Sequence, residues 1–202
     1  MPGTEGKKAA TSTAGVRAGR EPEVSPLLPD LVLPIEARDH HRNAANARCS
    51  LVEYGDYESP GCRASLGVVR ELLDDLGDEL CYAYRHFPQL EVHPHAASAA
   101  EAAEAADLQA KFWLMHDRLF DHQDELAPAL YRRLAAELPV DVAHFERDLA
   151  SGAPARRVAG DLEEGRRLGV VETPTFFVNG RMHVGSYEFE ALRAALVAVP
   201  GG

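Results

Sequence analysis

The sequence predicts an α/β fold whose order is β–α–β, a helical insertion, then β–β–α. Three observations carry this. A hydrophobic run, Ser50-Leu51-Val52-Glu53-Tyr54-Gly55, gives way after a short turn to an amphipathic stretch beginning at Pro60. A second run of β-formers, Thr175-Phe176-Phe177-Val178, leads into Asn179-Gly180, a strong two-residue hairpin signal. Between them, residues from about 93 to 169 are rich in alanine and other helix formers and are punctuated by proline and glycine.

The elements follow in order. Residues 1–38 are rich in Gly, Ala, Thr, Ser, Pro and charge and show no hydrophobic period, so they read as a flexible N-terminal arm. Within it, Leu31-Val32-Leu33-Pro34 is apolar enough to dock as an edge segment. The folded domain is expected over 39–202, with Asp39-His40-His41 leading into it. Ser50 to Gly55 is the first strand. Ser59 suits a helix N-cap and Pro60 the first helical position. Leu66, Val69, Leu72, Leu73 and Leu76 then share one helical stripe, and Gly77 ends it. Leu80 to Phe87 forms a second strand, stopped by Pro88. A strand–helix–strand unit of this length implies parallel strands and a right-handed crossover. Helices are expected over Ala96–Phe120, Leu130–Leu138, Val142–Ala150 and Ala155–Leu168. The strand Thr175–Val178 pairs through the Asn179-Gly180 turn with Arg181–Gly185, and a helix over Phe189–Val199 closes the chain.

Composition narrows the function. The 202 residues suffice for one domain with a full core, and the hydrophobic content of 46% is ordinary. A formal net charge of -11 repels nucleic acid, so a phosphate-tracking role is not expected. No run approaches the roughly 20 apolar residues of a membrane span, and none resembles the apolar core of an export signal. Cys49, Cys62 and Cys81 are too few for a disulfide framework. The default expectation is a reducing, cytoplasmic location. Cys49 and Cys81 lie near the starts of two adjacent strands, so a disulfide between them is conceivable, though disfavoured in that compartment. His93-Pro94-His95 could join His86 or His116 around a metal, but the spacing has no zinc signature, and no metal is expected.

The chemistry concentrates at Ser59-Pro60-Gly61-Cys62. At a helix start, unpaired N–H groups and the helix dipole favour a thiolate. A serine there cannot form a disulfide and is a far weaker nucleophile without a dedicated base. A two-sulfur cycle through Ser59 and Cys62 is therefore excluded. Ser59 has two readings: a helix cap contributing about 1 kcal/mol, or a hydroxyl that donates to a bound thiolate. Cys62 is either a small buried hydrophobe or a single reactive thiol. Glu53, on an apolar strand, is either a proton carrier with a raised pKa or an ordinary paired carboxylate, with Arg85 as a candidate partner.

Four landmarks together resemble the DsbA-like thioredoxin-fold disulfide oxidoreductases over about Asp39 to Val199. They are Leu51-Val52-Glu53-Tyr54-Gly55-Asp56-Tyr57-Glu58, Arg85-His86-Phe87-Pro88, Lys111-Phe112-Trp113 in the insertion, and Thr173-Pro174-Thr175-Phe176-Phe177-Val178-Asn179-Gly180. The departure is Ser59, where that family usually carries its nucleophilic cysteine. The resemblance implies a thioredoxin-like fold and gives Cys62 the place of the second cysteine. It makes Glu53 a buried acid that moves protons near the sulfurs, and Pro174 a cis-proline facing the site. It makes Thr173 a substrate-contacting position, with Pro60 and Gly61 completing the surface that meets substrate.

Three functions follow as expectations. The leading one is an oxidoreductase relative using Cys62 alone, with protein thiols or a small thiol as partner and no tightly bound cofactor. The second is a glutathione-dependent transferase or isomerase using Ser59, since kappa-class glutathione transferases resemble the same scaffold with a serine at this turn. The third is a peptide- or thiol-binding module without turnover.

Overall fold

A computed structural model describes Gly3 and residues 33–198. Most of the expected N-terminal arm lies outside the described residues. Its last part packs on the domain: Leu33 is buried, and its N–H donates to the Gly180 carbonyl at 2.8 Å. Of the segment Leu31–Pro34 expected to dock, Leu33 makes this contact, and Leu31 and Val32 lie outside the described residues. Residues 33–38 therefore join the packing, ahead of the boundary expected at 39.

The sheet has five strands in the order β1-β3-β2-β4-β5. These are β1 His40–Arg42, β2 Cys49–Gly55, β3 Leu80–His86, β4 Thr175–Val178 and β5 Arg181–Met182. β2 and β3 are parallel, joined by helix α1, Pro60–Leu76; every other pairing is antiparallel. Five helices form the insertion: α2 Ala96–Asp107, α3 Phe112–Asp121, α4 Pro128–Glu137, α5 Val142–Ala150 and α6 Ala153–Arg167. α7, Phe189–Val197, closes the described chain.

Helices cover both faces of the sheet, and this positions the site. On one face Leu51, Tyr82, Tyr84, Phe176 and Val178 pack with α1, α2, α3 and α7. On the other, Val52, Tyr54, Ala83, Phe87 and Phe177 pack against Leu162 of α6, Val170 and Leu33. With two covered faces, six of the seven β2 residues are buried, so the strand reads as a continuous apolar run rather than an alternating one.

Three expectations need correction. The helix expected over Ala96–Phe120 is two helices. α2 stops at Asp107, Ala110 takes a left-handed φ of 57°, and the Lys111 N–H returns to the Ala106 carbonyl at 3.0 Å. This is a helix end of the kind glycine usually closes, here closed by alanine and so without a compositional signal. Secondly, β1 is a short edge strand on β3, where only a lead-in was expected. Thirdly, the strand expected over Arg181–Gly185 ends at Met182. Cys49 and Cys81, for which a disulfide was disfavoured, are free. The register pairs Cys49 with Leu80 and Ser50 with Cys81, so the two thiols face opposite sides of the sheet and cannot bond.

Candidate active site

The site forms where β2 ends. Ser59 is the α1 N-cap, with extended φ and ψ of -77° and 121°. Its Oγ accepts the Cys62 N–H at 3.4 Å and donates to the Thr173 carbonyl at 3.2 Å. The single hydroxyl proton is thus engaged within the protein, and the residue is buried. Pro60 is exposed and Gly61 half-buried on the same turn. A Cβ on Gly61 would stand 2.9 Å from the Pro174 ring, so a side chain there would push the two loops apart. The Thr173–Pro174 peptide bond is cis. Both residues are half-buried, and their backbone lies beyond the β2–β4 ladder, which ends at Thr175.

Cys62 points inward. It is 1% exposed, and its sulfur accepts the Asp56 N–H at 3.4 Å. Burial, reinforced by the nearby Glu53 carboxylate, pushes its thiol far above the ordinary range. Glu53 is buried beneath the turn. Ser65 donates to one of its oxygens at 3.0 Å and Tyr82 to the other at 2.8 Å. Burial raises its pKa to about 7, against the pull of both hydroxyls. The Ser65 hydroxyl also lies 2.9 Å from the Cys62 carbonyl, which links the acid to the helix turn holding the sulfur.

The alternative partnership of Glu53 with Arg85 is not present. Glu53 stands opposite Tyr84 in the parallel register and Arg85 opposite Tyr54, so acid and guanidinium point to opposite faces. Arg85 instead bonds Asp39 at 2.7 Å and Glu164 at 2.9 Å.

Several residues that hold the site carried no sequence prediction. The Asp56 carboxylate accepts the Glu58 N–H at 2.7 Å and the Gln89 N–H at 2.8 Å, and His93 Nδ1 sits 2.8 Å away. Gln89 in turn accepts from the Thr173 hydroxyl at 3.3 Å, which ties the loop after β3 to the cis-proline loop. Gln123 donates to the carbonyls of Tyr57 and Ser59 at 2.8 and 2.9 Å. Asp56 had a local signal, an aspartate two residues before the amide it caps. Gln89 and Gln123 reach across the fold and had none.

The histidines group differently from the expectation. His93 belongs to Asp56, and His116 Nδ1 lies 3.0 Å from the Tyr57 hydroxyl. His86 meets His40 and Glu104 instead.

The family model described as Thioredoxin matches residues 36–198. The chain belongs to this family, and its fold is the thioredoxin-like α/β fold of DsbA-like oxidoreductases. Among solved structures, a thioredoxin-like oxidoreductase from Silicibacter pomeroyi DSS-3 superposes with a TM-score of 0.71 at 25% identity, over 79% of this chain and 91% of that one. BdbD from Bacillus subtilis gives 0.71 at 19% identity, over 82% and 95% of the two chains. A curated relative, the Na(+)/H(+) antiporter NhaA 3 of Salinispora tropica, is 47% identical over 84% of this chain and 26% of its own length. Na(+)/H(+) antiporter NhaA 1 of Mycolicibacterium vanbaalenii is 42% identical over 83% of this chain and 28% of its own. The chain thus spans about a quarter of the length of these relatives. No described helix is long and apolar enough to cross a membrane.

Proposed function

We propose that this DsbA-like domain binds an extended polypeptide or a thiol along the Thr173–Pro174 edge without turning over disulfides by itself. The observation that carries this reading is the state of the one sulfur at the site: Cys62 is 1% exposed, with its thiol held protonated by burial. A sealed thiol is not an attacking group. The Ser59 hydroxyl is committed to the Thr173 carbonyl, which also weighs against the glutathione-transferase reading. What remains available is backbone beyond the sheet ladder, the geometry that pairs with an extended chain.

Alkylation tests this. Cys62 should resist iodoacetamide in the native protein and react on unfolding, and Ser59→Cys should gain insulin-reductase activity because the scaffold for exchange is intact. Rapid native alkylation of Cys62 would sink the binding-only reading in favour of single-thiol chemistry. That second reading has one observation in its favour, the pKa of about 7 at Glu53, which suits a proton acceptor near neutrality.

The antiporter relatives support a setting for the module beside a membrane Na(+)/H(+) exchanger. The domain reconstituted with such an exchanger in vesicles should alter its exchange rate; an unchanged rate would separate the two.

A further inference from the structure

We propose that His40, His86 and Glu104 form a site for one divalent transition-metal ion, with Zn2+ the best fit. The three side chains come from β1, the end of β3 and α2, and all three residues are buried. Their ligand atoms lie within 4.8 Å of one another. Nε2 of His40 is 2.7 Å and Nε2 of His86 2.8 Å from the same Glu104 oxygen. Two imidazoles and a carboxylate, with one position left for water, form a donor set that suits zinc. Bonds of about 2.0–2.2 Å put tetrahedral ligand atoms roughly 3.3 Å apart, so each ring needs to withdraw only about half an ångström to admit the ion.

Two further observations support the assignment. Asp107 Oδ1 lies 3.5 Å from Nδ1 of His40, behind the ring, the arrangement in which an outer carboxylate orients a metal-bound histidine. His40, Asp107 and Phe112 line a surface cavity of about 290 Å³, which brings solvent to the His40 side of the cluster, with His86 and Glu104 behind it. The Arg157 guanidinium, with Nε 3.6 Å from the shared Glu104 oxygen, opposes a cation. It also faces Asp161 at 3.4 Å and Asp39 at 4.0 Å, so it has other anions to hold it when an ion enters. A bound ion would join the edge strand β1, its neighbour β3 and the insertion helix α2 through one centre.

The experiment is titration of the chelator-treated full chain with Co2+ and then Zn2+. The expected result is visible ligand-field absorption at one Co2+ per chain, without the intense near-ultraviolet band of cobalt–thiolate bonding, bleached by one equivalent of Zn2+. Zn2+ should also raise the melting temperature. His86→Ala and Glu104→Gln should weaken binding at least tenfold, while Arg157→Met should tighten it, a gain that a purely structural ion pair would not give. Where His86→Ala fails to fold by circular dichroism, His40→Gln at the cavity rim replaces it. Folded wild-type protein that leaves Co2+ with the spectrum of the aqueous ion overturns the proposal. So does a thiolate band, or absorption that survives both His40→Gln and Glu104→Gln.

Discussion

Glu53 is a carboxyl group with two hydroxyl donors and no cation, inside an apolar face. The unfolded chain releases its proton near 4.5, whereas burial lets the folded chain keep it to about 7. Between those values the native state binds more protons, so stability is full below 4.5 and falls as pH rises through 7. The loss is on the order of 3 kcal/mol. Glu53→Gln, whose amide stays neutral, should flatten this slope in urea denaturation series across the window; an unchanged slope would mean that another group carries it. The residues that define the turn were legible in the sequence. A strand, a cap and a proline read locally, and Ser59 excludes two-sulfur exchange by its chemistry alone. Whether Cys62 is open or sealed was not legible, because burial depends on the Asp56 amide and on packing that no local pattern encodes. The partner of Glu53 required the strand register, which decides the face on which Arg85 points.

At the scale of elements, periodicity and punctuation found the helix ends marked by proline, glycine or a capping side chain to within two residues; α4 and α6 start two residues earlier than expected because Pro128 and Pro154 sit inside their first turns. α1 begins at Ser59-Pro60, and the hairpin turns on Asn179 and Gly180, both with positive φ. The break between α2 and α3 escaped for the complementary reason: an alanine occupies a left-handed position. Ala110 is exposed, so its cost is conformational and not one of packing. Ala110→Gly should therefore raise stability by about 1 kcal/mol in chemical denaturation. A loss of stability would show that the alanine side chain has a role at that turn. The β1 edge strand escaped as well, since three residues with two histidines carry too little pattern to distinguish a strand from a lead-in.

At the scale of the molecule, Arg85 ties the fold together from inside. Its guanidinium, fully buried, bonds both oxygens of Asp39, Glu164, the Tyr54 hydroxyl and the Pro34 carbonyl. It thereby joins the segment before β1, the sheet and α6. Burial opposes its charge, but these bonds prevail and hold it firmly protonated. Arg85→Met should cost about 3–5 kcal/mol, because Asp39 would remain buried without its main cation. A midpoint shift in urea of less than 1 kcal/mol equivalent would show that Arg157, 4.0 Å from Asp39, takes over the role. The Arg85-His86-Phe87-Pro88 landmark was legible in the sequence but its partners were not, since they lie 31 to 79 residues away in the chain.

The docking of Leu33 against Gly180 has a consequence for how the domain can be attached to anything else. Leu33, the Asn179-Gly180 turn and the end of α7 at Leu196 to Ala198 gather around Cys49 and Ser50, where β2 begins. The Ser59 turn lies past the other end of that seven-residue strand, about 20 Å away. Any tether joined at either margin of the domain thus leaves from the same pole. The Thr173–Pro174 edge lies toward the opposite pole, clear of both margins whichever of them is anchored.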